Sequence, residues 1–269
     1  MMMKKLLSVV FCFCLATGAF AQGFGSRMAD VNLDYELGES PFTFAPVSYI
    51  YFGFNGLMNT DDNLNKYMGF FRSQQFGLNM LELAMSPFPG GRLSLGVDFT
   101  MNWFNLNKDY MWIPYGYPVN GQPQGWGTNG RFVTFGPKED YGIHEVKQSV
   151  LSVYTFGFPL TFSYTVGKVT MALGATLELN LDGKAQFKGV DTAGNNINEM
   201  KSGKRFSKKI GTNRLGFNVH AAFSYGGLGI FAKYNPIPKF YKGEMNGAVV
   251  YCGPQFQSWT VGLIIGLGM

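Results

Sequence analysis

The sequence predicts an all-β protein: a transmembrane, antiparallel, up-and-down β-barrel of eight strands, with short periplasmic turns and long extracellular loops. Three observations predict it. From Val169 to Asp182 apolar and polar residues alternate strictly, with Val169, Met171, Leu173, Ala175, Leu177, Leu179 and Leu181 on one side. A period of two belongs to a strand, not a helix. The preceding run, Leu151 to Thr165, places Tyr154, Phe156, Phe158, Leu160, Phe162 and Tyr164 on one apolar face, and Val166-Gly167-Lys168 forms a tight turn between the two runs. Each run can cross a bilayer, which takes roughly 9–11 tilted residues. Finally, charged residues make up only 14% of the chain and aromatics 16%, with 36 glycines among 269 residues. An average soluble domain carries about 25% charged residues and about 7% glycine, so this composition suits a surface that meets lipid.

Residues 1–21 read as a secretory signal peptide. Lys4 and Lys5 supply the positive start, Leu6 to Leu15 the short apolar core, and Ala19-Phe20-Ala21 the small-x-small cleavage site. That core is too short for a membrane helix, which needs roughly 20 residues, and Phe13 before Cys14 does not fit a lipid-attachment signal. Cleavage removes two of three cysteines and leaves Cys252, so no internal disulfide is expected. The chain's 22 basic and 17 acidic residues give +5, and without Lys4 and Lys5 the balance is 20 against 17, or +3. This is no nucleic-acid signal, and no nucleic-acid partner is expected. Residues 22–41 read as a periplasmic N-terminal lead-in, although Val31, Leu33, Tyr35 and Leu37 alternate and leave a short strand open.

The barrel is expected over residues 42–269. Phe42 to Phe54 (FTFAPVSYIYFGF) is nearly all aromatic or β-branched and reads as strand one, followed by a polar loop containing Asp61-Asp62-Asn63. Strand two covers Gln74 to Ser86, where Asn79 and Glu82 cannot both face inward without a bulge. After a Pro-Gly turn, strand three runs from Arg92 to Asn105 with Leu93, Leu95, Val97, Phe99, Met101 and Trp103 on one face. Leu106 to Gln148 reads as a long loop, the central pair supplies strands four and five, and Gly183 to Gly211 reads as a second long loop. Strand six is Thr212 to Tyr225, strand seven Leu228 to Asn235 after Gly226-Gly227, and strand eight Phe256 to Met269. Pairing of Val31 to Gly38 and Arg131 to Phe135 would raise the count to ten. Connections alternate long and short, as in outer-membrane barrels. A soluble barrel is the rival, but it would need a charged outer face, and strand three offers only Asp98 and strand five only Glu178. Trp103, Tyr164, Tyr225, Tyr234 and Trp259 near strand ends would form interfacial girdles.

The chain also resembles a known family, the PorT-like outer-membrane β-barrel proteins of the Bacteroidota. The resemblance covers most of residues 22–269 and is carried by GRLSLGVDFTMNWFNLNKD (Gly91 to Asp109), YTFGFPLTFSY (Tyr154 to Tyr164), YGGLGIFAKYNPIPKFYKG (Tyr225 to Gly243) and the closing GLIIGLGM. These motifs are architectural. The resemblance implies an outer-membrane barrel with no common enzymatic site; some relatives are associated with secretion and gliding machinery, a role not carried over here. The final Met269 departs from the terminal aromatic common in proteobacterial barrels.

Chemistry is sparse. Gly125-Trp126-Gly127-Thr128-Asn129-Gly130 spells a dinucleotide fingerprint, yet it neither follows a strand nor opens a helix. His220 and Ser224 share one face of strand six, where a lipid-modifying enzyme could use His220 with Glu178 or Asp182 behind it. Four residues along a strand span about 13 Å, too far for a nucleophile and its base. No catalytic residue, cofactor or metal ligand is therefore assigned. The inward set Asp98, Asn102, Glu178, Asn180, Asp182, Asn218, His220, Lys233 and Asn235 is expected to fill a bore only wide enough for side chains, with Lys233 paired to Asp98, Glu178 or Asp182 because a buried charge needs a partner. Lys184, Lys188, Lys201, Lys204, Arg205, Lys208 and Lys209, against Asp191 and Glu199, make a basic loop suited to lipopolysaccharide phosphates. Tyr110, Trp112, Tyr115, Tyr117 and Trp126 are candidates for a loop interface. The expected function is a non-enzymatic structural or binding component of the bacterial outer membrane, alone or as a subunit of a larger complex. Its expected contacts are outer-membrane lipid, lipopolysaccharide and other envelope proteins; the alternatives are a narrow transport channel and the His220 enzyme.

Overall fold

Alternating strands need tight turns, and glycine builds them here. Pro89-Gly90, Gly167-Lys168 and Gly226-Gly227 each reverse the chain, and Gly226 and Gly227 both hold positive φ, 58° and 83°, as the preferred two-residue hairpin turn requires. In the computed structural model, which describes residues 42–61, 64–114, 133–198, 212–245 and 248–266, these turns connect a ring of eight antiparallel strands. They are β1 (Phe42–Met58), β2 (Gln74–Phe88), β3 (Gly91–Asn105), β4 (Ile143–Val166), β5 (Val169–Asp191), β6 (Leu215–Tyr225), β7 (Leu228–Asn235) and β8 (Gln257–Ile265). Each pairs with its chain neighbour, and β8 pairs back to β1. Connections between them alternate long and short. No helix among the described residues is long and apolar enough to cross a membrane.

The ring is staggered. Pairings run from Phe44 through Leu83, Leu95, Leu160, Ala175, Val219, Tyr234 and Trp259 and return to β1 at Gly56, twelve residues further along. Such a shift means tilted strands, which is how a sheet closes on itself. Bulges adjust the fit. One lies between Asn79 and Leu81, and it turns both Asn79 and Glu82 inward, as expected.

The two faces separate cleanly. Leu95, Leu160, Leu173, Leu177, Ile230 and Leu263 point outward and stay about half exposed, whereas Asp98, Thr100, Asn102, Glu178 and Asn218 are buried. Tyr164 and Tyr225 sit beside the short turns, and Trp103, Tyr234 and Trp259 lie toward the opposite strand ends. The expected aromatics thus fall in two tiers that bound the apolar belt.

Several boundaries differ from expectation. β1 continues to Met58, four residues beyond the expected end, and β6 begins at Leu215, because Thr212 instead bridges to Phe240. β4 begins at Ile143 and β5 reaches Asp191, so the basic stretch from Gly183 starts as strand. The pairing shifts at Leu181, where Thr155 opposes Asn180 and Tyr154 opposes Asp182. That extra residue reverses the phase of the alternation and hid the continuation. Residues 133–135, in the stretch proposed for a ten-strand ring, pair with 112–114 as a separate hairpin, Tyr110–Pro114 with Val133–Pro137. The ring holds eight strands. Residues 1–21 and 22–41, expected as signal peptide and lead-in, and Met269 lie outside the described residues.

Beyond the belt, the long connections pack on one another. Leu64, Leu106, Trp112, Val133, Phe240, Cys252 and Phe256 bury a common apolar core with Phe104, Leu151 and Ala185 from the strand ends. This core caps the barrel at its long-loop end.

Candidate functional site in the barrel bore

The site is assembled from inward side chains of alternate strand positions. Lys233 of β7 carries the charge that most needs a partner. Its ammonium lies 3.7 Å from Oδ2 of Asp98 on β3 and donates to the Tyr51 hydroxyl at 2.7 Å. That hydroxyl donates to Asp98 Oδ2 at 3.0 Å and also lies 2.7 Å from Thr100 Oγ1. Lys233 further sits 3.9 Å from the centroid of the Tyr51 ring, a cation–π geometry. The expected pairing of Lys233 is met by Asp98. Small neighbours make the cluster possible. A Cβ on Gly77 would fall within 1.9 Å of the Tyr51 ring, and one on Gly157 within 1.9 Å of the Asp98 carboxylate.

A second cluster centres on Glu178 of β5. Asn218 Nδ2 donates to its Oε1 at 2.7 Å, and Asn235 Nδ2 to its Oε2 at 2.8 Å. Lys239 approaches Oε2 to 4.0 Å. Lys239 belongs to the connection after β7. Yet it is 3% exposed, because its loop folds back over the mouth of the ring. Between the clusters lies a polar cavity lined by Gln75, Asn102, Glu178, Asn218, Lys239 and Thr260, among others. Nearer the short turns, Arg92 and Glu82 pair at 3.3 Å; their spacing in sequence gave no sign of it, since they meet only through the β2–β3 pairing.

His220 lies between two threonines, 3.1 Å from Thr161 Oγ1 and 3.4 Å from Thr176 Oγ1. Both ring nitrogens are thereby satisfied by neutral hydroxyls, and neither contact is with a carboxylate. Asn102 accepts from Gln75 Nε2 at 2.7 Å, and Asn180 accepts from Thr155 at 2.8 Å. The inward set is therefore brought together as a hydrogen-bonded filling. The side chain of Asp182 is not among those described.

The loop candidates divide. Trp112 is fully buried and donates its indole N–H to the Phe104 carbonyl at 2.9 Å, so it is cap core and not an interface residue. Tyr110 stacks on Tyr67 with centroids 3.7 Å apart. Tyr115, Tyr117 and Trp126 fall outside the described residues, as does the glycine-rich fingerprint from Gly125 to Gly130. Among the basic candidates, Lys184 and Lys188 stand half-buried on β5 beyond the belt, with Lys184 5.8 Å from the Tyr154 ring centroid. Lys201, Lys204, Arg205, Lys208 and Lys209 lie outside the described residues.

No family model matches the chain, and no curated protein matches it. Among solved structures, a double mutant of the porin of Rh. blastica aligns with 83% of this chain and 99% of its own at 9% identity, with a TM-score of 0.13. The architecture described above rests on the strand pairings, not on that alignment.

Proposed function

We propose that this chain is a non-enzymatic β-barrel of the bacterial outer membrane, serving as a structural or binding component of the envelope or as a subunit of a larger outer-membrane complex. The observation that carries this reading is the inversion of the two faces. Leucines and phenylalanines clothe the outside while asparagines, threonines and paired charges fill the inside, as a closed sheet in lipid requires, since only closed barrels and helices satisfy every backbone group there. The signal-like N-terminus and the resemblance to PorT-like barrels point to the same compartment. Lys184 and Lys188, just beyond the belt, suit phosphate groups of lipopolysaccharide. A filled bore under an apolar cap argues against a narrow transport channel, and the threonine-bound His220 argues against a lipid-modifying enzyme.

The test is purification from membranes in mild detergent, followed by planar-bilayer recording and a search for co-purifying protein. The expected result is a heat-modifiable barrel that stays electrically silent and brings a stoichiometric envelope partner. Steady single-channel steps from the native chain, or a changed lipid A profile in a His220→Ala strain, would overturn the reading.

A further inference from the structure

The position of Lys239 asks for an explanation that packing alone does not supply. The backbone around it is clamped: Asn213 donates its backbone N–H to the Lys239 carbonyl at 2.8 Å and its side-chain amide to the Pro238 and Phe240 carbonyls at 2.5 and 3.3 Å. Phe240, the next residue, is 1% exposed and belongs to the cap core. The side chain between these anchors enters a ring of inward groups supplied by six of the eight strands, β2, β3, β5, β6, β7 and β8. A loop lysine therefore stands in the cross-section of the bore.

The ring it enters is built to receive a cation. Glu178 supplies a carboxylate that is 5% exposed. Gln75 and Asn218 also line the cavity, and among the described residues no donor reaches Gln75 Oε1 or Asn218 Oδ1, although the residues are 5% and 2% exposed. Their amide N–H groups are already committed to Asn102 and Glu178, which fixes the two oxygens as acceptors. A buried acceptor without a donor is costly, and a buried carboxylate needs a cation beside it. The other cation at this level, Lys233, is already balanced by Asp98. We propose that Glu178, beside the unfilled amide acceptors of Gln75 and Asn218, forms a site for an ammonium group in the bore, that the chain's own Lys239 serves it by pairing with the Glu178 carboxylate, and that this ion pair latches the loop cap over the barrel mouth.

The inference needs the barrel to be folded but does not depend on its envelope role. The experiment uses the full chain refolded into phosphatidylcholine vesicles, with heat-modifiable migration as the check on folding and trypsin cleavage after the exposed Lys242 as the readout of the cap. Lys239→Ala removes a fragment the size of propylammonium. The native chain is expected to resist cleavage whether or not propylammonium chloride is present. Lys239→Ala is expected to be cut after Lys242 and to regain resistance with propylammonium chloride, but not with the same concentration of tetraethylammonium chloride, which is too large to enter. Glu178→Gln combined with Lys239→Ala is expected to lose that rescue. A folded Lys239→Ala chain as resistant as the native one, equal protection by both salts, or rescue that survives Glu178→Gln would each overturn the latch. Failure of the native chain to give a heat-modifiable band would strike at the barrel reading instead.

Discussion

At the scale of single residues, the bore shows how charge is tolerated inside this protein. Asp98 and Lys233 are held by each other and by Tyr51. Asp98→Asn would leave Lys233 without its counter-charge and should destabilise the folded barrel by roughly 3–5 kcal/mol. The paired change Asp98→Asn with Lys233→Met should cost less than either single change implies, because no uncompensated charge remains; urea unfolding in vesicles measures both. Asp191, at the far end of β5, behaves differently. Its carboxylate accepts from the backbone N–H groups of Asn195 and Ala193 at 2.7 and 2.9 Å and from the Asn195 side chain at 3.0 Å. These bonds, the Asn195 backbone bond foremost, hold its pKa below the ordinary carboxylate value. A lowered folded pKa stabilises this turn fully above the unfolded value of about 4, and the stabilisation disappears as pH falls through the lower folded value. The Ala193 and Asn195 amide resonances should shift in that acid window, and Asp191→Ala should abolish the shift.

At the scale of elements, the belt makes depth-dependent predictions. Leu173 projects from β5 between the two aromatic tiers and is 66% exposed, whereas Tyr225 is 62% exposed beside a turn. Equal exposure in water would predict equal tolerance of lysine. In a bilayer, Leu173→Lys should cost roughly 2–4 kcal/mol and Tyr225→Lys about 0–1 kcal/mol, read from urea unfolding in vesicles. Equal small effects would remove the lipid from the argument. Strand identity was legible wherever this belt runs, because side chains that form an apolar outer face and a polar bore on opposite sides of one strand must alternate. It was not legible in Gly183 to Asp191, where the belt has ended and a one-residue shift at Leu181 reverses the pattern. The hairpin of Tyr110–Pro114 with Val133–Pro137 was missed for a related reason: its short strands are fixed by the cap they pack into, not by their own periodicity.

At the scale of the whole molecule, two cores share one chain. The ring has a polar interior and an apolar exterior, while the cap has an ordinary apolar interior built around Trp112, Phe240 and Phe256. Trp112→Ala should remove roughly 3–5 kcal/mol from the cap while the ring keeps its heat-modifiable migration. Protease cleavage within residues 106–142 should then precede loss of the barrel; simultaneous loss of both would show that cap and ring fold as one unit.

The amino-acid sequence alone determined that eight segments are strands, which face of each is apolar and turned outward, and that Lys233 needs an acidic partner. These follow from local alternation and from the desolvation of a single charge, neither of which requires knowing what lies across the barrel. Only the tertiary structure decided that Asp98 is that partner, that Trp112 is interior, and that Lys239 leaves its loop to meet Glu178. Those outcomes depend on the ring's stagger and on how four connections pack together, distances set between residues far apart in the chain that no short-range pattern records.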